Sequence, residues 1–275
     1  MTVTHIIVLL LTGAGAGFAG SILGLGGAFI MTPVQYMIYT NLPGISADTA
    51  IKLAFGTNLM VILPTAISGT WRHHRNGTVF WRAAIVMGSC SLIGSFGGAT
   101  IAARLPGEGL TIAFGILVLI GGIWMVFSRP LDFEDQPRTS PLLWIALAVP
   151  IGIITGILGI GGGILAVPVM TLALRFRMHN AAATSLAMMI LTSAGGVVGY
   201  IISGTGISDL PAYCLGYVNL QSWLLLSVTS ISMAQVGAIV AHRIPAGLLK
   251  YLFVTIMFYM GLRMLGIFDR LGWPL

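Results

Sequence analysis

ILGLGG at Ile22–Gly27 and ILGIGGG at Ile157–Gly163 break two otherwise apolar runs with nearly the same word. Glycine inside a helix costs about 1 kcal/mol relative to alanine, so a repeated glycine cluster asks for a reason. The surroundings repeat as well. GFAGSILGLGGAFIMTP (17–33) aligns with GIITGILGIGGGILAVP (152–168), pairing Gly17, Ile22, Leu23, Gly24, Gly26, Gly27 and Pro33 with identical residues. KLAFGTNL (52–59) aligns with HNAAATSL (179–186), which matches Thr57 to Thr184 and Asn58 to Ser185. GGATIAARLP (97–106) aligns with VGAIVAHRIP (236–245), pairing Arg104 with Arg243 and Pro106 with Pro245. Three matches in one order indicate an internal duplication. The halves are 1–128 and 142–275, joined by a polar linker at 129–141 within SRPLDFEDQPRTSP (128–141).

Composition sets the solvent. Of 275 residues, 57% are hydrophobic and 7% charged, against about 25% charged in soluble domains. Apolar stretches recur along the whole length, which predicts an all-α polytopic membrane protein. A transmembrane barrel would instead show alternating segments of about ten residues. The net charge of +6 is scattered over short loops, where it orients a membrane protein; it does not point to nucleic acid. Cys90 and Cys214 form no metal or disulfide pattern. Residues 1–20 have no preceding Lys or Arg and are expected to be a retained membrane segment, not a signal peptide.

Each half is predicted to open with a Gly-broken segment (5–40 and 142–174) and to continue with three spans. The spans are expected near 50–71, 82–104 and 109–128, then 181–202, 223–241 and 247–266. The limb after the second glycine cluster, 163–174, reaches only about 18 Å as a helix, short of the roughly 30 Å hydrocarbon core. Loop charges then set the topology. WRHHRNGTVFWR (71–82) is basic, whereas its counterpart 203–222 has no Lys or Arg; LRFRMHN (174–180) is basic, whereas its counterpart 40–50 has none. Under the positive-inside rule, equivalent loops lie on opposite sides, so the repeats are expected to be inverted. Inversion needs an odd number of crossings per half. Three spans plus a re-entrant helical hairpin satisfy this, with both termini outside and the linker cytoplasmic. Ten crossings, five in each half, would give the same loop sides, and that alternative stays open.

In the hairpin arrangement each glycine cluster is a tip within the membrane. The helix after it begins with N–H groups that lack intrahelical partners and with the positive end of its dipole. Glycine lets a ligand approach that backbone closely. Two tips meeting from opposite sides would form an anion site without buried charge. The candidate backbone donors are Gly24, Gly26, Gly27, Gly159, Gly161, Gly162 and Gly163; the candidate side-chain donors are Thr57, Asn58, Thr184 and Ser185. Back-bonding to their own helices is the ordinary alternative for these side chains, as tight helix packing is for the glycines. Gln35 and Gln235 point first to interhelical hydrogen bonds. Lys52 and its partner His179 either attract an anion at an entrance or face the membrane interface. His73 and His74 are expected to face solvent in a basic loop.

All seven acidic residues, Asp48, Glu108, Asp132, Glu134, Asp135, Asp209 and Asp269, fall in loops or at ends. Cation transporters and proton pumps commonly carry intramembrane carboxylates, so their absence favours an anionic substrate. There is no metal-ligand spacing, cofactor motif or catalytic constellation, and an enzyme is not expected. Glycine patterns of nucleotide sites need a βαβ context or a following Gly-Lys-Ser/Thr, and neither is present.

The duplicated GxxxGxLGxGGG…P element, the following A-x-x-T-S-L and the G-x-x-x-A-x-R-I-P near the end of each half resemble the TauE/SafE sulfite exporter family. The resemblance covers nearly the whole chain. It implies a polytopic permease for small anions of sulfur metabolism: sulfite, sulfonates such as sulfoacetate, or related organic anions. The chain departs from the family pattern in half one, where Asn58 stands for the usual Ser and Lys52 for the usual His. The expected function is a secondary transporter of such an anion in the plasma membrane. A passive anion channel and a permease for another small organic anion are the alternatives. The expected partners are the anionic substrate and the lipid bilayer, with a second copy of the chain as a further candidate.

Overall fold

The computed structural model describes residues 2–127, 140–207, 209–240 and 246–270. Half one contains α1 (Val3–Leu23), α2 (Ala28–Thr40), α3 (Ala47–Arg75), α4 (Trp81–Ala102) and α5 (Gly107–Phe127). Half two contains α6 (Pro141–Leu158), α7 (Gly163–Leu172), α8 (Met178–Ser203), α9 (Leu220–Val240) and α10 (Ala246–Met264), followed by the short α11 (Ile267–Arg270). A small antiparallel ribbon, β1 (Cys214–Leu215) and β2 (Val218–Asn219), precedes α9. The six predicted spans correspond to α3, α4, α5, α8, α9 and α10, with ends shifted by a few residues. Among the described residues, seven helices, α1, α3, α4, α5, α6, α8 and α9, are long and apolar enough to cross a membrane. The chain is a multi-pass, all-helical membrane protein. Most of the linker, 129–139, and the Arg243 and Pro245 repeat partners lie outside the described residues.

Local chemistry sets the helix ends. Ser46 caps α3 by accepting a bond from Thr49 N, and Ser140 followed by Pro141 opens α6. Arg72, His73, His74 and Arg75 occupy the last turn of α3, where positive charge complements the helix dipole. The second limbs are short: α2 has 13 residues and α7 has 10, about 20 and 15 Å. Pro33 and Pro168 sit inside them and deprive the carbonyls of Phe29 and Ile164 of their helical donor.

The halves interlock through exchanged helices. α1 packs along α9, and its repeat counterpart α6 packs along α4. Small residues allow the close approach. A Cβ on Gly17 would lie 2.6 Å from Ser230 Cα, and one on Gly152 would lie 2.7 Å from Ser91 Cα. Ser230 and Ser91 are themselves repeat-matched. At the centre, α3 and α8 run in opposite directions: Gly56 lies beside Tyr200, Leu59 beside Gly196, and Gly69 beside Leu186. α5 and α10 also run oppositely, with Gly115 beside Gly261 and Gly122 beside Phe258. The outer faces present Leu11, Ile93, Ile120 and Leu224, an apolar surface suited to lipid.

Candidate functional site

Both glycine clusters form the same turn. α1 ends on Gly24 (φ 70°), and Gly26 and Gly27 (both φ 76°) lead into α2. α6 ends on Gly159 (φ 62°), and Gly161 (φ 72°) and Gly162 (φ 111°) lead into α7. Positive φ at three positions is the reason these words are glycine-rich, since L-residues with Cβ rarely adopt it. The turn folds α2 back on α1: a Cβ on Gly20 would lie 2.8 Å from Gly27 N.

The two tips touch. A Cβ on Gly163 would strike the Gly24 carbonyl and lie 2.5 Å from Leu25 Cα. Each tip also docks on the long central helix of the other half. A Cβ on Gly24 would lie 2.6 Å from Ala182 Cα, and one on Gly159 would lie 2.5 Å from Phe55 Cα; Ala182 and Phe55 are repeat-matched. Gly26 and Gly161 both face Ile62 and Met189, near the midpoints of α3 and α8. The seven candidate glycines are therefore gathered at one place. The opening N–H groups of α2 and α7 lack intrahelical acceptors, and no side chain caps either helix among the described residues. The space between the tips is filled by the Ile62 and Met189 side chains. A separate pocket beside the tips is lined by Leu23, Leu25, Trp124, Ile164, Val167 and Met257, side chains among which the Trp124 indole N–H is the one hydrogen-bond donor.

The side-chain candidates have more specific attachments. Thr57 Oγ1 accepts from Asn219 N (2.9 Å) and Thr184 Oγ1 accepts from Phe80 N (3.0 Å). These repeat-matched hydroxyls satisfy the backbone just before α9 and α4 and keep their own protons as donors. Ser185 donates to the carbonyls of Gly24 and Ala182, each at 2.9 Å, which ties α8 to the first tip. Its counterpart Asn58 instead faces α2. Asn58 Nδ2 donates to Thr32 Oγ1, Gln35 Nε2 donates to Asn58 Oδ1, and Tyr39 donates to Gln35 Oε1 (3.0 Å). Tyr39, Thr32, Gln35 and Asn58 are all fully buried.

Three expectations are corrected or sharpened. Lys52 does not face the interface: it is buried and paired with Asp48 at 2.7 Å, while Asp48 also accepts from Gly107 N. Its partner His179 is exposed. His73 is not a solvent residue; it is buried, with Nε2 3.2 Å from the Ser21 carbonyl. The repeat-matched Tyr200 makes the same brace in half two, donating to the Ile157 carbonyl (3.1 Å). His74 is exposed and accepts from Trp81 Nε1. Gln235 does bridge helices, donating to Ser68 O (2.8 Å) and Ser68 Oγ (2.9 Å). Among the described residues, carboxylates enter the membrane-length helices only in first turns, at Asp48 and Glu108. Thr32 and Tyr39 carry no repeat match or motif of their own in the sequence; with Gln35 they follow the i, i+3, i+7 spacing of one helical face.

Comparison with known proteins agrees with this architecture. A probable membrane transporter protein of Methanocaldococcus jannaschii is 29% identical, over 94% of each chain. One of Haemophilus influenzae is 29% identical, over 95% of this chain and 98% of its own. The probable membrane transporter protein YunE of Bacillus subtilis is 30% identical, over 72% of this chain and 79% of its own. No solved structure matches the chain. The family model described as sulfite exporter TauE/SafE matches residues 9–264, and with the duplicated glycine tips inside that range, the chain belongs to the TauE/SafE family.

Proposed function

We propose that the chain is a secondary transporter of a small sulfur-containing anion, such as sulfite, sulfoacetate or a similar organosulfonate. The anion binds where the two glycine tips meet, held by backbone N–H groups at Gly24, Gly26, Gly27, Gly159, Gly161, Gly162 and Gly163. Thr57, Asn58, Thr184 and Ser185 stand on the flanking helices as side-chain donors, and Lys52 and His179 at the two entrances. The observation that carries this reading is the contact of two uncapped helix starts beside the midpoints of α3 and α8. Such a pair attracts an anion with no formal charge buried.

The two halves, 1–128 and 142–275, act as inverted repeats, each opening with a re-entrant hairpin. Support comes from the opposite directions of the repeat-matched pairs α3/α8 and α5/α10. The 129–141 linker and the basic loops are cytoplasmic, and the protein resides in the plasma membrane. The packing of Ile62 and Met189 between the tips favours a carrier over an open channel, because the tips must part before an anion can enter. Rocking of one half against the other would alternate access.

A ligand screen on purified protein tests this, comparing sulfite, thiosulfate, sulfate, sulfoacetate and carboxylates. The expected result is saturable binding of a sulfur oxyanion, with counterflow-stimulated uptake in proteoliposomes. Folded Gly26→Leu and Gly161→Leu proteins should lose both. Unchanged binding and uptake in both variants would overturn the site, and a voltage-driven current far beyond carrier rates would overturn the carrier.

A further inference from the structure

We infer that the buried face of α2 is a second anion subsite, present in half one only. It is built from Thr32, Gln35 and Tyr39 with Asn58 of α3 and Ser222 of α9. It takes a small oxyanion through neutral hydrogen-bond donors, on the route between the first tip and the far end of α2. This inference rests on the anion-transport reading and adds a step to it.

The first argument is geometric. Thr32, Gln35 and Tyr39 lie on one face of α2, which begins at the tip residue Gly27 and ends at Thr40. Their side chains and Asn58 form a continuous hydrogen-bonded chain, Tyr39 to Gln35 to Asn58 to Thr32. Thr57, near the Tyr39 hydroxyl, accepts from Asn219 N and continues the polar surface toward α9. An anion leaving the tip along α2 would meet donors at each helical turn.

The second argument separates function from mere packing. The repeat-matched positions in half two are Val167 and Met170 on α7 and Leu174 just past its end, with Ser185 on α8. The same hairpin therefore packs against the same kind of long helix with an apolar face. Burying neutral polar groups carries a desolvation cost that hydrogen bonds only offset, and the scaffold holds in half two without incurring it. The polar face is thus an addition to the fold, not a requirement of it.

The third argument is an unused group. Ser222, fully buried, has its Oγ near the Tyr39 hydroxyl but makes no well-formed hydrogen bond among the described residues. Its repeat partner is Ala83. The amides of Gln35 and Asn58 and the hydroxyls of Tyr39, Ser222 and Thr57 can all turn from one another to a ligand. An oxyanion has several acceptor oxygens to receive them.

The test compares wild type with Gln35→Met, the residue half two carries, and with the single-hydroxyl deletions Tyr39→Phe and Ser222→Ala. Met170→Leu serves as the control in half two. Sulfite binding to purified protein and the KM of sulfite counterflow are measured, with size-exclusion elution and melting temperature reporting the folded state. KM is expected to rise about tenfold in Gln35→Met and severalfold in the hydroxyl deletions, as expected for lost hydrogen bonds to a charged ligand. Met170→Leu should stay near wild type. If Gln35→Met fails to fold, the hydroxyl deletions decide. Folded variants with KM within twofold of wild type overturn the subsite while leaving the tip site standing. If wild-type counterflow is sodium-stimulated and the variants lose that stimulation with unchanged anion affinity, the oxygens serve a cation and the subsite is overturned. Absence of anion binding in wild type would instead defeat the transport reading itself.

Discussion

The two hairpins share a turn and differ in what stands behind it. In half one, α2 presents Thr32, Gln35 and Tyr39 to a polar partner helix, and the backbone before α9 contributes Asn219. In half two, the matched residues are Val167 and Met170 on α7 and Leu174 just beyond its end. The residue matching Asn219 is Phe80, whose ring lies edge-on to Phe176 at 5.4 Å and to Trp144 at 6.0 Å. The duplication kept the residues that bend the backbone and let the faces diverge. A symmetric scaffold suits a cycle that must expose one site to two sides, whereas unlike faces let the two exits have different chemistry. In the proposed topology the polar face leads outward and the aromatic cluster lies toward the cytoplasm.

The largest expected effect breaks the contact between tips. Position 163 is glycine in half two, whereas its twin in half one is Ala28. A Cβ at 163 would strike the Gly24 carbonyl, so Gly163→Val forces the hairpins apart. Loss of folded protein, or a transport loss of about a hundredfold or more, is expected from such overpacking. Gly97→Ala is the control: its Cβ meets nothing within 4 Å, and a small gain in stability is expected from helix propensity. Wild-type transport and melting temperature in Gly163→Val would mean that the tips do not touch.

The next effect probes the polar face. Asn58→Leu leaves Gln35 and Thr32 without their partner, at an expected cost of about 2–3 kcal/mol for orphaned buried groups. Adding Gln35→Met and Thr32→Val copies half two at those α2 positions and removes two orphaned groups while freeing one, the Tyr39 hydroxyl. The triple variant is therefore expected to be more stable than the single one, a coupling readable from melting curves in detergent. A triple variant less stable than Asn58→Leu would show that the network is not what holds α2 to α3.

Much of this comparison was legible in the sequence, because the signals are local. Gly24, Gly27, Gly159 and Gly162 mark helix ends through backbone conformation alone, and the apolar runs mark spans through solvent transfer. Other features are tertiary and left no local trace. His73 belongs to a basic run, yet α3 extends through Arg75 and carries that side chain against Ser21 of α1. Thr57 and Thr184 stand out in the sequence as a matched pair, but their acceptor role depends on where α9 and α4 begin. The ribbon at Cys214–Asn219 has two residues per strand, too few for alternation to register. Thr32, Gln35 and Tyr39 were readable as one face of α2; what the sequence lacked was the α3 surface they meet.

A smaller effect compares the two hydroxyls that serve helix starts. Thr57→Val and Thr184→Val each remove the acceptor for one backbone N–H, at about 1 kcal/mol. The Tyr39 hydroxyl lies near the Thr57 hydroxyl, and nothing polar replaces Tyr39 at the matched Leu174. Thr57→Val is therefore expected to lower the melting temperature more than Thr184→Val does. Equal shifts would mean that Tyr39 draws no support from Thr57.

The smallest effect uses a thiol as a reporter at the rim of the polar face. Cys214 Sγ accepts from Asn219 Nδ2 at 3.5 Å, and burial pushes the thiol up to about 11 from its ordinary 9.0, partly offset by that bond. The thiolate is the form that alkylates, and a raised pKa depletes it at neutral pH. Labelling of Cys214 by a water-soluble maleimide should therefore be slow at pH 7 and accelerate as the pH rises from 9 toward 11. Mass spectrometry separates this site from Cys90. If sulfoacetate, which unlike sulfite does not add to the maleimide, occupies the neighbouring donors, the ribbon is held closed and labelling slows further; faster labelling with sulfoacetate would mean that the anion opens this rim. Either change ties the polar face to the anion, whereas a rate indifferent to sulfoacetate would detach the ribbon from the transport route.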